Sequence, residues 1–177
     1  MPLLTAVHVT SKGVTFESPQ FVSLEDGTKF RMRCDPRRGD ILICSRGTIG
    51  RCAVVNVDEI FCLMGSVIQF RLPTQCSPSY FNYFLSTDRA QLQMRGMSGA
   101  TAVKALYLKD IRLCPMPLPP LAEQHRIVAK VDALMALCDR LEASLTTAAG
   151  TRRRLLDALL AEALAPANAH EMEAAAE

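Results

Sequence analysis

Apolar residues come in short bursts through the first 75 positions: LLTAVHV, FVSL, DILIC, CAVVNV and IFCLMGSVIQFRL. Between them stand Lys12-Gly13, Glu25-Asp26-Gly27, Arg38-Gly39-Asp40 and Arg46-Gly47, all of which favour turns. Brief runs cut by such punctuation predict a β-rich segment. GDILICSRGTIGRCAVV predicts a strand, a tight glycine turn and a second strand. The period then changes. In PSYFNYFLSTDRAQLQMR, residues 78–95, Phe81, Phe84, Leu85 and Leu92 recur at helical spacing, and Ser77-Pro78 supplies a start. GMSGATAVKAL is a small-residue loop, and LYLKDIRLCPMPL, residues 106–118, reads as a second extended run that ends in prolines.

The strongest pattern follows. Prolines at 115, 117, 119 and 120 stiffen the approach, and Pro120 suits the first turn of a helix. Glu123 falls where the helix dipole favours a carboxylate. Ile127, Val131, Leu134, Cys138, Leu141 and Leu145 are then spaced 4, 3, 4, 3 and 4, a heptad stripe. Gly150 interrupts it, and Leu155 and Leu159 resume the register. A helix over 121–160 is about 60 Å long at ~1.5 Å per residue, roughly twice the diameter of a ~110-residue domain. The helix is therefore expected to project, and its apolar stripe to need a partner, because a lone amphipathic helix is marginal in water. Folding back onto its own domain is the plainer alternative; the 3.5-residue period favours helix-on-helix packing. The alanine- and glutamate-rich end, residues 165–177, is expected to be disordered.

Charge divides the chain in the same place. Residues 1–113 hold 14 Lys and Arg against 9 Asp and Glu, a net of +5, and residues 114–177 hold 6 against 9, a net of −3. Seven of the cations, Lys29, Arg31, Arg33, Arg37, Arg38, Arg46 and Arg51, fall within 23 positions that hold two acids, Asp35 and Asp40. Such a run suits a polyanion, although a solvated loop and strand edge would look the same. Gly47 and Gly50 form a G-x-x-G without a Walker lysine or a following helix pattern, which favours a structural turn over a phosphate cradle. The seven cysteines include no C-x-x-C pair, and several sit in apolar runs, so they read as reduced, buried small hydrophobes and not as metal ligands. The three histidines match no ligand spacing. No apolar run reaches membrane-spanning length and no leader pattern opens the chain, so a cytoplasmic protein with no membrane association is expected.

Four stretches together carry a family resemblance: MPLLTAVHVTSKGV, GDILICSRGTIGRCAVV, GATAVKALYLKDI and, most specifically, PMPLPPLAEQHRIVAKVDAL. The chain resembles the specificity subunit of type I restriction–modification systems over most of residues 1–160. The resemblance implies an α+β fold: a β-rich DNA target-recognition domain with a few helices, here 1–115, then a proline elbow and a long coiled-coil-type spacer helix, here 116–164. Family members carry two such domains and two helices that pack antiparallel, each domain reading one half of a bipartite DNA site. They do no chemistry. Modification subunits methylate adenine with S-adenosylmethionine, and restriction subunits use ATP and Mg to translocate and cut, so no cofactor or metal is expected in this chain. Here one domain and one helix stand where the family has two of each. The domain also opens later than is usual, and FCLMGSVIQFRL replaces a segment that often holds an Asn-Gln pair.

The expected partners are therefore double-stranded DNA, modification and restriction subunits, and a second copy of the chain or another specificity subunit. Arg31, Arg33, Arg37, Arg38, Arg46 and Arg51, with Ser98, Thr101 and Lys104 of the small-residue loop, are the candidate DNA contacts, because these side chains reach phosphates and base edges. Leu118, Pro119, Pro120, Glu123 and Gln124 are the docking point that the resemblance implies for the modification subunit. Ile127, Val131, Leu134, Cys138, Leu141, Leu145, Leu155 and Leu159 are the helix-pairing stripe. A nuclease would need clustered carboxylates, and only the adjacent Asp58-Glu59 comes near. A coiled-coil fragment that binds other subunits without reading DNA is the competing interpretation.

Overall fold

The computed structural model describes residues 1–97 and 105–174. Contacts divide the chain into two compact units, Met1–Val128 and Ala129–Glu177.

The first unit is α+β. Strand β1 (Pro2–Leu4) leads through a 3-10 turn to the small ribbon β2 (Val9–Thr10) and β3 (Gly13–Val14). Then come β4 (Gln20–Phe21), helix α1 (Leu24–Arg33), β5 (Ile41–Cys44), β6 (Cys52–Val54), β7 (Cys62–Leu63) and β8 (Val67–Phe70). Two three-stranded sheets result, ordered β4-β1-β7 and β6-β5-β8. In the first, β1 runs antiparallel to β4 and parallel to β7; in the second, β5 is antiparallel to both neighbours, with Ile41 opposite Val54 and Phe70.

The central strand β5 explains why ILIC has no polar alternation. A strand covered on both faces reads as a continuous apolar run. Leu42 and Cys44 pack with Leu4, Val9 and Phe61 on one side, and Ile41 and Ile43 pack with Leu85, Met94 and Leu106 on the other. The expected strand–turn–strand is the β5–β6 hairpin. Gly50 at its base needs a positive φ of 85°, and an added Cβ would lie 2.7 Å from the Gln91 amide oxygen.

Several elements depart from the sequence reading. Glu25-Asp26-Gly27, taken as a turn, lies inside α1. Ser23 caps that helix by accepting from the Asp26 amide at 3.0 Å, and Gly27 is buried against Met1. The single helix expected over 78–95 is two, α2 (Pro78–Ser86) and α3 (Asp88–Met97), divided at Thr87. Ser77 caps α2 and Pro78 opens it, as expected, but Leu92 is exposed and not part of the buried face. The run 106–118 is not wholly extended, since Leu108–Arg112 forms the short helix α4.

Helix α5 runs from Leu121 to Ala174, 54 residues, and so continues through the proline- and alanine-containing stretch expected to be disordered. Residues 175–177 lie outside the described residues.

Candidate nucleic-acid interface

The basic run is continuous in sequence and divided in space. Its members up to Arg38 precede β5, and Arg46 follows it in the hairpin turn, so the strand separates them. From Asp40 to Ser45 is about 16 Å at ~3.3 Å per residue. Strand β8 is registered to match: Cys44 lies opposite Val67 and Ile41 opposite Phe70, which brings Arg71 to the Asp40 end and Ser66 to the Ser45 end.

At the Asp40 end the cations other than Arg33 are engaged within the domain. Asp35 takes an ion pair from Arg31 and another from Arg37 at 2.9 Å. Arg31 first, and then Arg37 against some desolvation, hold its carboxyl below the usual range. Arg38 makes a two-pronged pair with Asp58 at 2.7 and 2.6 Å, and Lys29 pairs with Glu25 at 2.7 Å. Asp40 is buried, with 3% of its surface exposed, and would be costly there without partners. It has four: Arg71 Nε at 2.9 Å, Arg71 Nη2 at 2.8 Å, the Arg37 amide at 2.9 Å, and the Gln69 side chain. Burial pushes its pKa up, and the bonds from Arg71, the Arg37 amide and Gln69 outweigh that, so the carboxyl stays below its ordinary value. Neither Gln69 nor Arg71 was singled out in the sequence. Their partners lie about thirty positions away, and no local pattern signals such pairs.

Arg51 is also occupied: its Nη2 donates to the Ala6 carbonyl, and its buried Nε has no partner among the described residues. Arg33 and Arg46 remain exposed, and neither makes an ion pair among the described residues. Ser98, Thr101 and Lys104 lie outside the described residues. The chain re-enters description beside the hairpin turn, where the Leu106 amide donates to the Ser45 carbonyl at 2.9 Å.

The elbow is built into the first unit. Tyr80 Oη donates to the Pro117 carbonyl at 3.0 Å. Gln124, grouped in the sequence with the docking residues, is 1% exposed. Its Oε1 accepts from the Ser77 amide at 2.8 Å, and its Nε2 donates to the Pro119 carbonyl at 2.9 Å. Gln124 is thus corrected to an internal strut, its amide consumed in joining the start of α5 to the cap of α2. Leu118 and Pro120 are exposed, Pro119 is half-buried, and Glu123 pairs with Arg126 at 2.9 Å. Replacing Gln124 by alanine leaves the Ser77 amide buried without an acceptor, and the expected loss is about 2 kcal/mol in urea unfolding. A loss below about 0.5 kcal/mol, the scale of an ordinary surface change, would mean that the strut is dispensable.

Within α5, Ile127 and Val131 are half-buried, and Leu134, Cys138, Leu141, Leu145, Leu155 and Leu159 are exposed. All seven cysteines are free thiols, and Cys44, Cys52 and Cys62 are buried, whereas Cys138 is exposed. Cys34 donates to Gln69 at 2.8 Å and is pushed up to about 11, mainly by burial and then by Asp40, so it holds its proton at neutral pH. Among the described residues no group of His, Cys, Asp and Glu is placed to hold a metal, and no described helix is long and apolar enough to cross a membrane.

An α+β unit with an exposed, unpaired Arg46 at the hairpin end of its central strand, followed by a long helix bearing an exposed leucine stripe, has the layout of a binding module of the specificity-subunit class. The chain belongs to the type I restriction modification DNA specificity domain family, whose model matches residues 7–148. It is 31% identical over 132 residues to the type I restriction enzyme EcoBI specificity subunit of Escherichia coli, covering 74% of this chain and 28% of that protein. It is 34% identical over 80 residues to the EcoAI specificity subunit of the same organism, covering 45% of this chain and 13% of that protein. The fold is similar to that of the HsdS subunit from Thermoanaerobacter tengcongensis, with a TM-score of 0.63 and 21% identity over 79% of this chain and 37% of that one. A chain from a structure of type I restriction–modification complex assembly has a TM-score of 0.62 at 23% identity, covering 87% of this chain and 35% of that one. The chain thus spans less than two fifths of each of these proteins.

Proposed function

We propose that this chain reads DNA sequence for a type I restriction–modification complex in the cytoplasm, without catalysing a step itself. The observation that carries this reading is the family match across residues 7–148, which takes in both the α+β unit and the heptad-bearing part of α5. In this reading the domain contacts double-stranded DNA and partner modification subunits methylate adenine. Restriction subunits translocate and cleave. S-adenosylmethionine, ATP and Mg are held by those partners. Leu118, Pro119, Pro120 and Glu123 offer the modification subunit a firm landing place, because the elbow they flank is pinned by Gln124 and Tyr80. The exposed stripe of α5 pairs with the same stripe of a second copy. Two-fold symmetry then gives an antiparallel pair of helices and a palindromic two-part target.

The test is to express the chain with the modification subunit from its own genome in a host without DNA methylation and to map N6-methyladenine. The expected result is methylation at one motif: half-site, gap, inverted half-site. Soluble complex with no methylated motif would reject the reading and favour a helix-bearing partner of other subunits that does not read DNA, an outcome consistent with so many of the arginines being engaged internally.

A further inference from the structure

We propose that the hairpin tip Arg46-Gly47-Thr48 grips a backbone phosphate of the bound DNA, and that Arg31, Arg37 and Arg38 are held by carboxylates of the domain itself. This rests on the DNA-binding reading above and assigns the contact within it. Three observations meet at the tip. First, Arg46 is exposed and unpaired among the described residues, whereas Arg31, Arg37 and Arg38 would each have to give up a carboxylate before meeting a phosphate.

Second, the tip offers more than one donor. The amides of Ser45, Ile49, Gly50 and Arg51 all donate to backbone carbonyls. Among the described residues those of Arg46, Gly47 and Thr48 do not, and all three residues are exposed. Gly47 has a φ of 72°, the left-handed geometry by which successive backbone amides form an anion-binding concavity. An exposed guanidinium on the same turn as such amides suits a phosphate. The sequence favoured a plain turn because no Walker lysine follows; the free cation comes from Arg46 instead.

Third, the tip is held rigidly from below. The Ser45 amide donates to Ser66 O at 2.8 Å, Leu106 N donates to Ser45 O at 2.9 Å, and Gln91 Nε2 donates to Gly50 O at 2.8 Å. A donor set that is already ordered loses little entropy on meeting its anion. A phosphate grip positions the domain on the duplex and carries no sequence information of its own.

Binding of the full chain to a fluorescein-labelled mixed-sequence 30-bp duplex, followed by anisotropy between about 50 and 200 mM KCl, tests this. Arg46→Gln is expected to weaken binding about five-fold and to lower the slope of log K against log salt by about 0.9, one phosphate contact. Arg46→Lys keeps the slope, because a phosphate accepts a point cation where a guanine edge demands the planar fork. Arg38→Gln leaves the slope at the wild-type value. Wild-type binding with an Arg46→Gln slope unchanged, or an Arg38→Gln slope reduced as much, overturns the assignment and leaves the DNA-binding reading standing. A slope lost in Arg46→Lys overturns the phosphate contact in favour of base reading. No duplex binding by the wild-type chain, alone or with its modification subunit, rejects both.

Discussion

Replacing Leu134 and Leu141 together by aspartate is expected to convert a dimer of the 19.4 kDa chain into a monomer, read by light scattering behind size exclusion. Both leucines belong to the stripe and are about half exposed in the single chain, at 51% and 56%. Their burial in a helix pair contributes roughly 1.5–3 kcal/mol per side chain. Aspartate at such positions removes that contribution and sets unpaired carboxylates in the seam, at a further cost of about 3–5 kcal/mol each. With two sites in each of two helices, the combined effect exceeds what pairing of this length can supply. Both residues belong to the second unit, Ala129–Glu177, so the unfolding of the first unit should be unaffected. A double variant that remains dimeric, or a wild-type chain that is monomeric at tens of micromolar, would sink the proposed self-pairing of α5.

The second large effect concerns Asp40. Asp40→Ala is expected to destabilise the first unit by about 3 kcal/mol near pH 7, because one buried carboxylate gathers Arg71, Gln69 and the Arg37 amide. The pH dependence follows from the direction of its shift. The folded pKa lies below the ordinary carboxylate value of about 3.9, so the folded state binds the proton less tightly than the unfolded chain. Its contribution is complete above that ordinary value and disappears as pH falls through the lower folded one. The gap between wild type and Asp40→Ala in urea unfolding should be constant from pH 7 to about 5 and should close progressively below about pH 4. A gap that stayed constant to pH 2 would show that Asp40 does not titrate as part of the cluster.

The sequence disclosed the elements whose pattern is local. The β5–β6 hairpin was legible because an unbroken ILIC run, a two-glycine turn and CAVV follow one another within one short segment. Helix α2 was legible from Ser77-Pro78 and its aromatic spacing, and α5 from its heptads. Helix α1 was hidden by its composition: polar residues and a glycine outweighed the one helpful signal, Ser23 three positions before Asp26, which is a capping pattern. The five residues of α4 are too few for a helical period to register. Among candidate contacts, sequence proximity misled. Arginines at 31, 37, 38 and 46 looked like one patch because nothing in a one-dimensional run shows that a strand will carry the last away from the others, or that Asp35 and Asp58 will occupy the rest. Gln124 was likewise read by its place in a surface motif, while its burial depends on Ser77, 47 positions away.

The opposed ends of β5 have a consequence for how such a domain can change. At the Asp40 end the buried carboxylate gathers Arg71, Gln69 and the Arg37 amide, and changes within that cluster are penalised by loss of stability. At the other end Arg46 and Thr48 stand clear of the cores, and even a Cβ placed on Gly47 would touch nothing within 4 Å, its positive φ being the sole restraint. Inherited variation can therefore accumulate at the tip with little loss of stability. The same chain can be retuned for a different grip on its ligand while the scaffold that makes it foldable stays under purifying constraint.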